Sequence, residues 1–128
     1  MIIGWTDNYG AHSDAVPGCV ATHRTLDGVK QAFAEALEIH IKGMEEDGDP
    51  IPEELRGEYE LDFHLNIRAI LHYTEGTVPR TALAKVSGIN EKQLGHYASG
   101  WRNPRPEMQR RIINGIHDIG GQLISISL

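Results

Sequence analysis

A chain of 128 residues, 40% hydrophobic and 23% charged, suffices for one ordinary domain or two small ones and is too apolar to be disordered. No run approaches the roughly 20 apolar residues of a membrane span, and Met1-Ile2-Ile3-Gly4-Trp5 has no basic lead into a long apolar core, so neither a membrane span nor a secretory signal is expected. The net charge of −6 hides a split: residues 1–75 hold five Lys/Arg against fifteen Asp/Glu, a net of −10, whereas residues 76–128 hold seven against three, a net of +4.

Short β-favouring runs cut by turn residues open the chain. Ile2–Trp5 reads as a first strand, Asp7-Asn8-Tyr9-Gly10 as a turn, Gly10–Val16 as a second strand, and Cys19–His23, after the Pro17-Gly18 turn, as a third. Thr25 can cap a helix whose Leu26, Val29, Phe33, Ala36, Leu37, His40, Ile41 and Met44 share one face, and Gly48-Asp49-Pro50-Ile51-Pro52 ends it. An acid-rich loop follows. Tyr59–Leu65 then alternates apolar and polar residues and predicts a half-buried strand. Strand, strand, strand, helix, strand is a compact α+β unit, expected over residues 1–65.

The period turns helical at Asn66, which caps Ile67, Ile70, Leu71 and Tyr73 before Gly76. Thr81–Ser87 predicts a helix, Gly88-Ile89-Asn90 a turn, and Glu91–Ala98 a second helix ended by Gly100. Pro104-Arg105-Pro106 leads into a helix striped by Met108, Ile112, Ile113 and Ile116, which Gly120-Gly121 is expected to break. Leu123–Leu128 alternates and predicts a terminal strand, pairing within the chain or across a dimer. Residues 66–128 are thus expected to form an all-α domain with a C-terminal strand.

Thr81–Gly100 carries the most chemistry. A helix-turn-helix needs a small residue where its helices cross, a turn residue that takes positive φ, and an apolar anchor on the second helix. Ala84, Gly88 and Leu94 fill those roles, with Ile89 as an apolar plug and Leu83 packing inward. The second helix would enter a DNA major groove and present Glu91, Lys92, Gln93 and His96 to base edges. Arg80, Thr81, Lys85, Arg102 and Arg105 flank it and suit phosphate contact, with Arg110 and Arg111 further round the last helix. One such half binds a single half-site weakly, so a homodimer or higher homo-oligomer is expected.

Val16-Pro17-Gly18-Cys19, Thr25-Leu26, Ala32–Leu37, the acidic helix end and Ile51-Pro52 resemble the N-terminal module of HicB-type antitoxins. Arg80–Ala84 and Gln93–Gly100, followed by Pro104-Arg105-Pro106, resemble the Cro/repressor-like helix-turn-helix tail of that family. The resemblance implies a partial ribonuclease H-like module ahead of the DNA-binding domain. It further implies an antitoxin of a type II toxin–antitoxin system, which neutralises a small basic ribonuclease toxin of the HicA type and represses its own operon by binding double-stranded operator DNA. Glu45, Glu46, Asp47, Glu53 and Glu54 would then face the toxin, which gives the charge split a physical reason.

Other chemistries fit less well. Asp7, Asp14 and Asp62 are too few and too scattered for a two-metal nuclease, so no enzyme is expected. The seven histidines (12, 23, 40, 64, 72, 96 and 117) include no i, i+4 pair, so neither metal nor cofactor is expected. Cys19 makes no internal disulfide and reads as a small buried apolar residue, which suits a reducing cytoplasmic setting. Trp5, Tyr97 and Trp101 read as packing residues rather than stacking platforms. The alternative function is a helix-turn-helix transcriptional regulator whose N-terminal domain senses a small ligand in an apolar pocket.

Overall fold

In the computed structural model, which describes every residue from Met1 to Leu128, the three opening runs become β1 (Ile2–Trp5), β2 (Tyr9–His12) and β3 (Val20–His23). They form an antiparallel meander, with Ile3 opposite Ala11 and His12 opposite Val20. The side-chain alternation of a strand sends Ile3, Tyr9 and Ala11 into the core while Ile2 and His12 face outward. β2 is shorter than the predicted Gly10–Val16, because Val16 N–H turns back to the Ser13 carbonyl (3.3 Å) and Cys19 N–H to the Val16 carbonyl (3.1 Å). Gly18 takes φ +88° at that turn, which a β-carbon would resist.

β4 is only His64–Leu65, parallel to β1 through His64 N–H to the Met1 carbonyl and Asn66 N–H to the Ile3 carbonyl, both 2.8 Å. The predicted strand Tyr59–Leu65 is therefore mostly unpaired. The burial alternation it rested on is nevertheless present: Tyr59, Leu61, Phe63 and Leu65 are half-buried, whereas Glu60, Asp62 and His64 are exposed. Alternation reports which side chains meet the core, and says nothing of whether a neighbouring backbone is there to pair. The sheet order is β3-β2-β1-β4, a four-stranded mixed sheet.

Between β3 and β4 runs α1 (Leu26–Asp47), packed on β3 and β2. Thr25 caps it, its Oγ1 accepting the Gly28 N–H at 3.0 Å. Val29, Phe33 and Leu37, four residues apart, are fully buried, a stripe that contributes roughly 1.5–3 kcal/mol per side chain. Gly48 ends the helix at φ +73°, its N–H bonding the Glu45 carbonyl while Asp49 N–H reaches that of Met44. A single 3₁₀ turn, Glu53–Leu55, tucks Leu55 into the same core.

The chain divides into two compact units, Met1–Ala69 and Ile70–Leu128, so the division falls inside α2 (Ile67–Thr74) rather than at the expected 65/66. Asn66 caps α2 as predicted, its Oδ1 accepting Ala69 N–H at 3.0 Å. The second unit is helical, with α3 (Arg80–Ser87), α4 (Glu91–Ser99) and α5 (Pro106–Ile124) around Leu71, Leu83, Ile89, Leu94, Tyr97 and Ile112, all buried. Gly115 lets α5 approach α3: a β-carbon there would stand 3.1 Å from Val86 Cγ2 and 3.2 Å from Leu83 Cδ1.

The expected C-terminal strand is corrected. α5 runs through Gly120-Gly121 to Ile124, and Ser125 N–H still bonds the Gly121 carbonyl at 3.1 Å. A helix already under way gains one hydrogen bond per added residue, while a strand needs a partner; each glycine weakens the helix by only about 1 kcal/mol relative to alanine. No helix is long and apolar enough to cross a membrane.

Candidate nucleic-acid interface

The α3–α4 hairpin is built by its turn. Gly88 closes α3 at φ +72°, its N–H bonding the Ala84 carbonyl at 3.0 Å. Ile89 is buried beneath the turn, and its N–H reaches the buried Ser87 Oγ at 3.2 Å. Asn90 then caps α4, its Oδ1 accepting Gln93 N–H at 2.8 Å. Leu94, fully buried, anchors α4 against the core. A cation on α5 secures the turn: Arg111 Nε donates to the Ser87 carbonyl at 3.1 Å, and its Nη2 lies 2.7 Å from the place a Gly88 β-carbon would occupy. Arg111, read from the sequence as a remote phosphate contact, is thus a brace. A bond spanning 24 positions leaves no local signature that sequence could reveal.

The four residues expected to read bases fall into two pairs. Glu91 and Lys92 stand exposed in the first turn of α4. Gln93 is half-buried, and its Nε2 donates to the Tyr97 hydroxyl at 2.9 Å. His96 is also half-buried; its ring meets that of Trp101 edge-on at 4.3 Å, and its Nδ1 is buried with no hydrogen-bond partner. The expectation that all four face outward is corrected for Gln93 and His96, because nine residues of α4 leave about half its circumference for the core.

Among the expected phosphate contacts, Thr81 and Lys85 are exposed on α3. Arg80 also lies at the surface, but Nη2 pairs with Glu75 Oε1 at 2.9 Å and Nη1 sits over Gly95, where a β-carbon would be 3.2 Å away. Gly95 is thus what lets this guanidinium rest on α4. Arg102 and Arg105 are exposed in the loop after α4, and the Arg102 guanidinium stands 5.2 Å from the centre of the Trp101 ring. Tyr97 is buried and Trp5 is half-buried, as packing residues should be. Trp101 is 67% exposed, contrary to the packing role expected of it. Gly100, at φ +80°, turns the chain out of α4 just before it.

In the first unit, Glu45, Glu46 and Asp47 occupy the last turn of α1, where no basic residue accompanies them. Carboxylates there face the negative end of the helix dipole, at roughly 0.3–1 kcal/mol each in a fully exposed setting. Glu53 and Glu54 are exposed on the 3₁₀ turn. An open cleft beside the helix end is lined by Val16, Pro17, Ile39, Met44, Asp47 and Asp49, with Ile39 74% exposed. Asp7 and Asp14 are exposed, and Asp62 pairs with His64 at 2.8 Å on the surface. No three His, Cys, Asp or Glu side chains converge as metal ligands would. Cys19 lies in the core, where burial pushes its thiol pKa up.

No protein-family model, no curated protein and no solved structure matches this chain.

Proposed function

We propose that the chain is a DNA-binding antitoxin of the HicB type. Its second unit binds operator duplex through α4, and its acidic first unit binds and neutralises a small basic ribonuclease toxin, so that the pair represses its own operon. The observation that carries the DNA half is the α3–α4 hairpin: a left-handed glycine turn, a buried plug, an Asn cap and a buried anchor hold α4 with Glu91 and Lys92 exposed at its N-terminal end. The charge of the unit agrees, since seven Lys/Arg fall after Ile70 against four Asp/Glu.

For the toxin half, the sheet order β3-β2-β1-β4 with α1 crossing between β3 and β4 supports reading the first unit as a partial ribonuclease H-like module. Three acids at the unfavourable end of α1 break a local rule of helix design, which is where a binding surface is looked for. The apolar cleft beside them, rimmed by Asp47 and Asp49, suits a cationic partner with an apolar anchor. A homodimer places two copies of α4 on two half-sites. The protein is non-enzymatic and cytoplasmic in this reading.

The experiment is a gel shift with labelled duplex covering the DNA upstream of the gene, beside a scrambled duplex, at low salt. It is paired with copurification of the product of the adjacent reading frame. A shift that favours the upstream duplex and capture of a short basic protein are the expected results. Absence of any duplex binding refutes the DNA half, and equal association rates after charge reversal at Glu45, Glu46, Glu53 and Glu54 refute the electrostatic account of the toxin half.

A further inference from the structure

Trp101 is the most exposed aromatic side chain of the second unit, ahead of Tyr73 at 58%. Leu83, Ile89, Leu94, Tyr97 and Ile112 are buried; Trp101, two residues past the end of α4, is 67% exposed. It is nevertheless held in place. Gly100 turns the chain at φ +80°, the indole meets the His96 ring edge-on at 4.3 Å, and Arg102 N–H bonds the His96 carbonyl at 3.2 Å. The Arg102 guanidinium lies 5.2 Å from the ring centre, and exposed Arg105 follows three residues later. An exposed indole with one cation near its ring and a second four residues along the same loop matches a polyanion that also offers apolar surface.

We propose that Trp101, Arg102 and Arg105 form a clamp on the DNA sugar–phosphate backbone, with the indole against a deoxyribose and the two guanidiniums on neighbouring phosphates. This inference rests on the reading of α4 as the helix that enters the groove. The dimensions suit it. α4 has nine residues and is therefore about 13 Å long, close to the roughly 12 Å width of the major groove. With its N-terminal turn among base edges, its C-terminal end reaches the groove wall, where the polymer presents sugars and phosphates. Trp101 stands at that end. Contacts of this kind position the protein and carry no sequence information.

Trp101 also supplies the test, because Trp5 is the only other tryptophan. In the W5F variant all indole emission comes from Trp101. Titration with a mixed-sequence duplex of roughly 30 base pairs in about 50 mM salt, followed in parallel by anisotropy of a label on the DNA, should shift and quench that emission as the complex forms. Trp101→Ala should weaken binding about tenfold to upstream and scrambled duplex alike, with Trp101→Phe recovering part of it and an unchanged melting temperature in both. Arg102→Gln should lower the slope of log K against log salt by about 0.9. If the DNA is bound but the emission stays constant and W101A binds like the parent, the clamp is wrong while the groove-binding helix stands. If no duplex binds at all, both fall together.

Discussion

Replacing Gly88 by Ala tests the joint that orients α4. At φ +72° an L-residue with a β-carbon is strained by roughly 1–2 kcal/mol. The new β-carbon would also stand 2.7 Å from Arg111 Nη2, so the guanidinium must shift, and the contact this puts at stake is its 3.1 Å Nε bond to the Ser87 carbonyl. Losing that bond adds about 1 kcal/mol, since the freed cation can reach water. The sum, about 2–3 kcal/mol, lowers the melting temperature of a unit of about 60 residues by roughly 15–25 °C. The assay is thermal unfolding of Gly88→Ala, Arg111→Ala and the double variant. In the Arg111→Ala background the glycine change should cost only the backbone strain, leaving a coupling of about 1 kcal/mol. A strictly additive double variant would refute the brace, and an unstrained Gly88→Ala would refute the left-handed turn itself.

Three further outcomes are expected. Gly28→Ala drives a β-carbon into the His23 ring, displacing an Nδ1 that accepts the Thr25 N–H at 3.0 Å; a loss of about 1–2 kcal/mol by urea unfolding, largely relieved in a His23→Ala background, is the expected result. Leu94→Ala empties the fully buried anchor of α4 and should cost about 3 kcal/mol, seen by circular dichroism as an early loss of helix. Cys19 should react with a thiol reagent at least about tenfold faster in urea than in the native chain. Because burial raises its pKa, the folded state keeps the proton longer; the stability this confers is intact below the unfolded thiol's value, about 8.5, and declines as pH rises above it.

Legibility differed by interaction range. Thr25, Asn66 and Asn90 each cap the helix the sequence assigned to them, because capping is settled within three residues. Gly88 and Gly100 mark helix ends for the same local reason. Pairing was legible for the opening meander, whose turns join neighbouring strands, and not beyond it: Tyr59–Phe63 alternates in burial yet finds no strand beside it, and Leu123–Leu128 has the pattern of a strand and the backbone of a helix end. In the candidate interface, exposed Lys92 and Lys85 could be read from helical spacing, whereas the Gln93–Tyr97 bond, the burial of His96 and the Arg111 brace depend on how helices meet. The exposure of Trp101 ran against composition, since aromatic residues are core residues by habit.

The glycine pair inside α5 sets a gradient of security along that helix. Two adjacent residues without side chains weaken the final turns by about 2 kcal/mol relative to alanine, at a point where the apolar stripe has left the core and Leu123, Ile124, Ile126 and Leu128 lie in water. Amide protons beyond Gly121 should consequently trade with deuterium orders of magnitude sooner than those around Ile112, making the tail the first part of the chain to open.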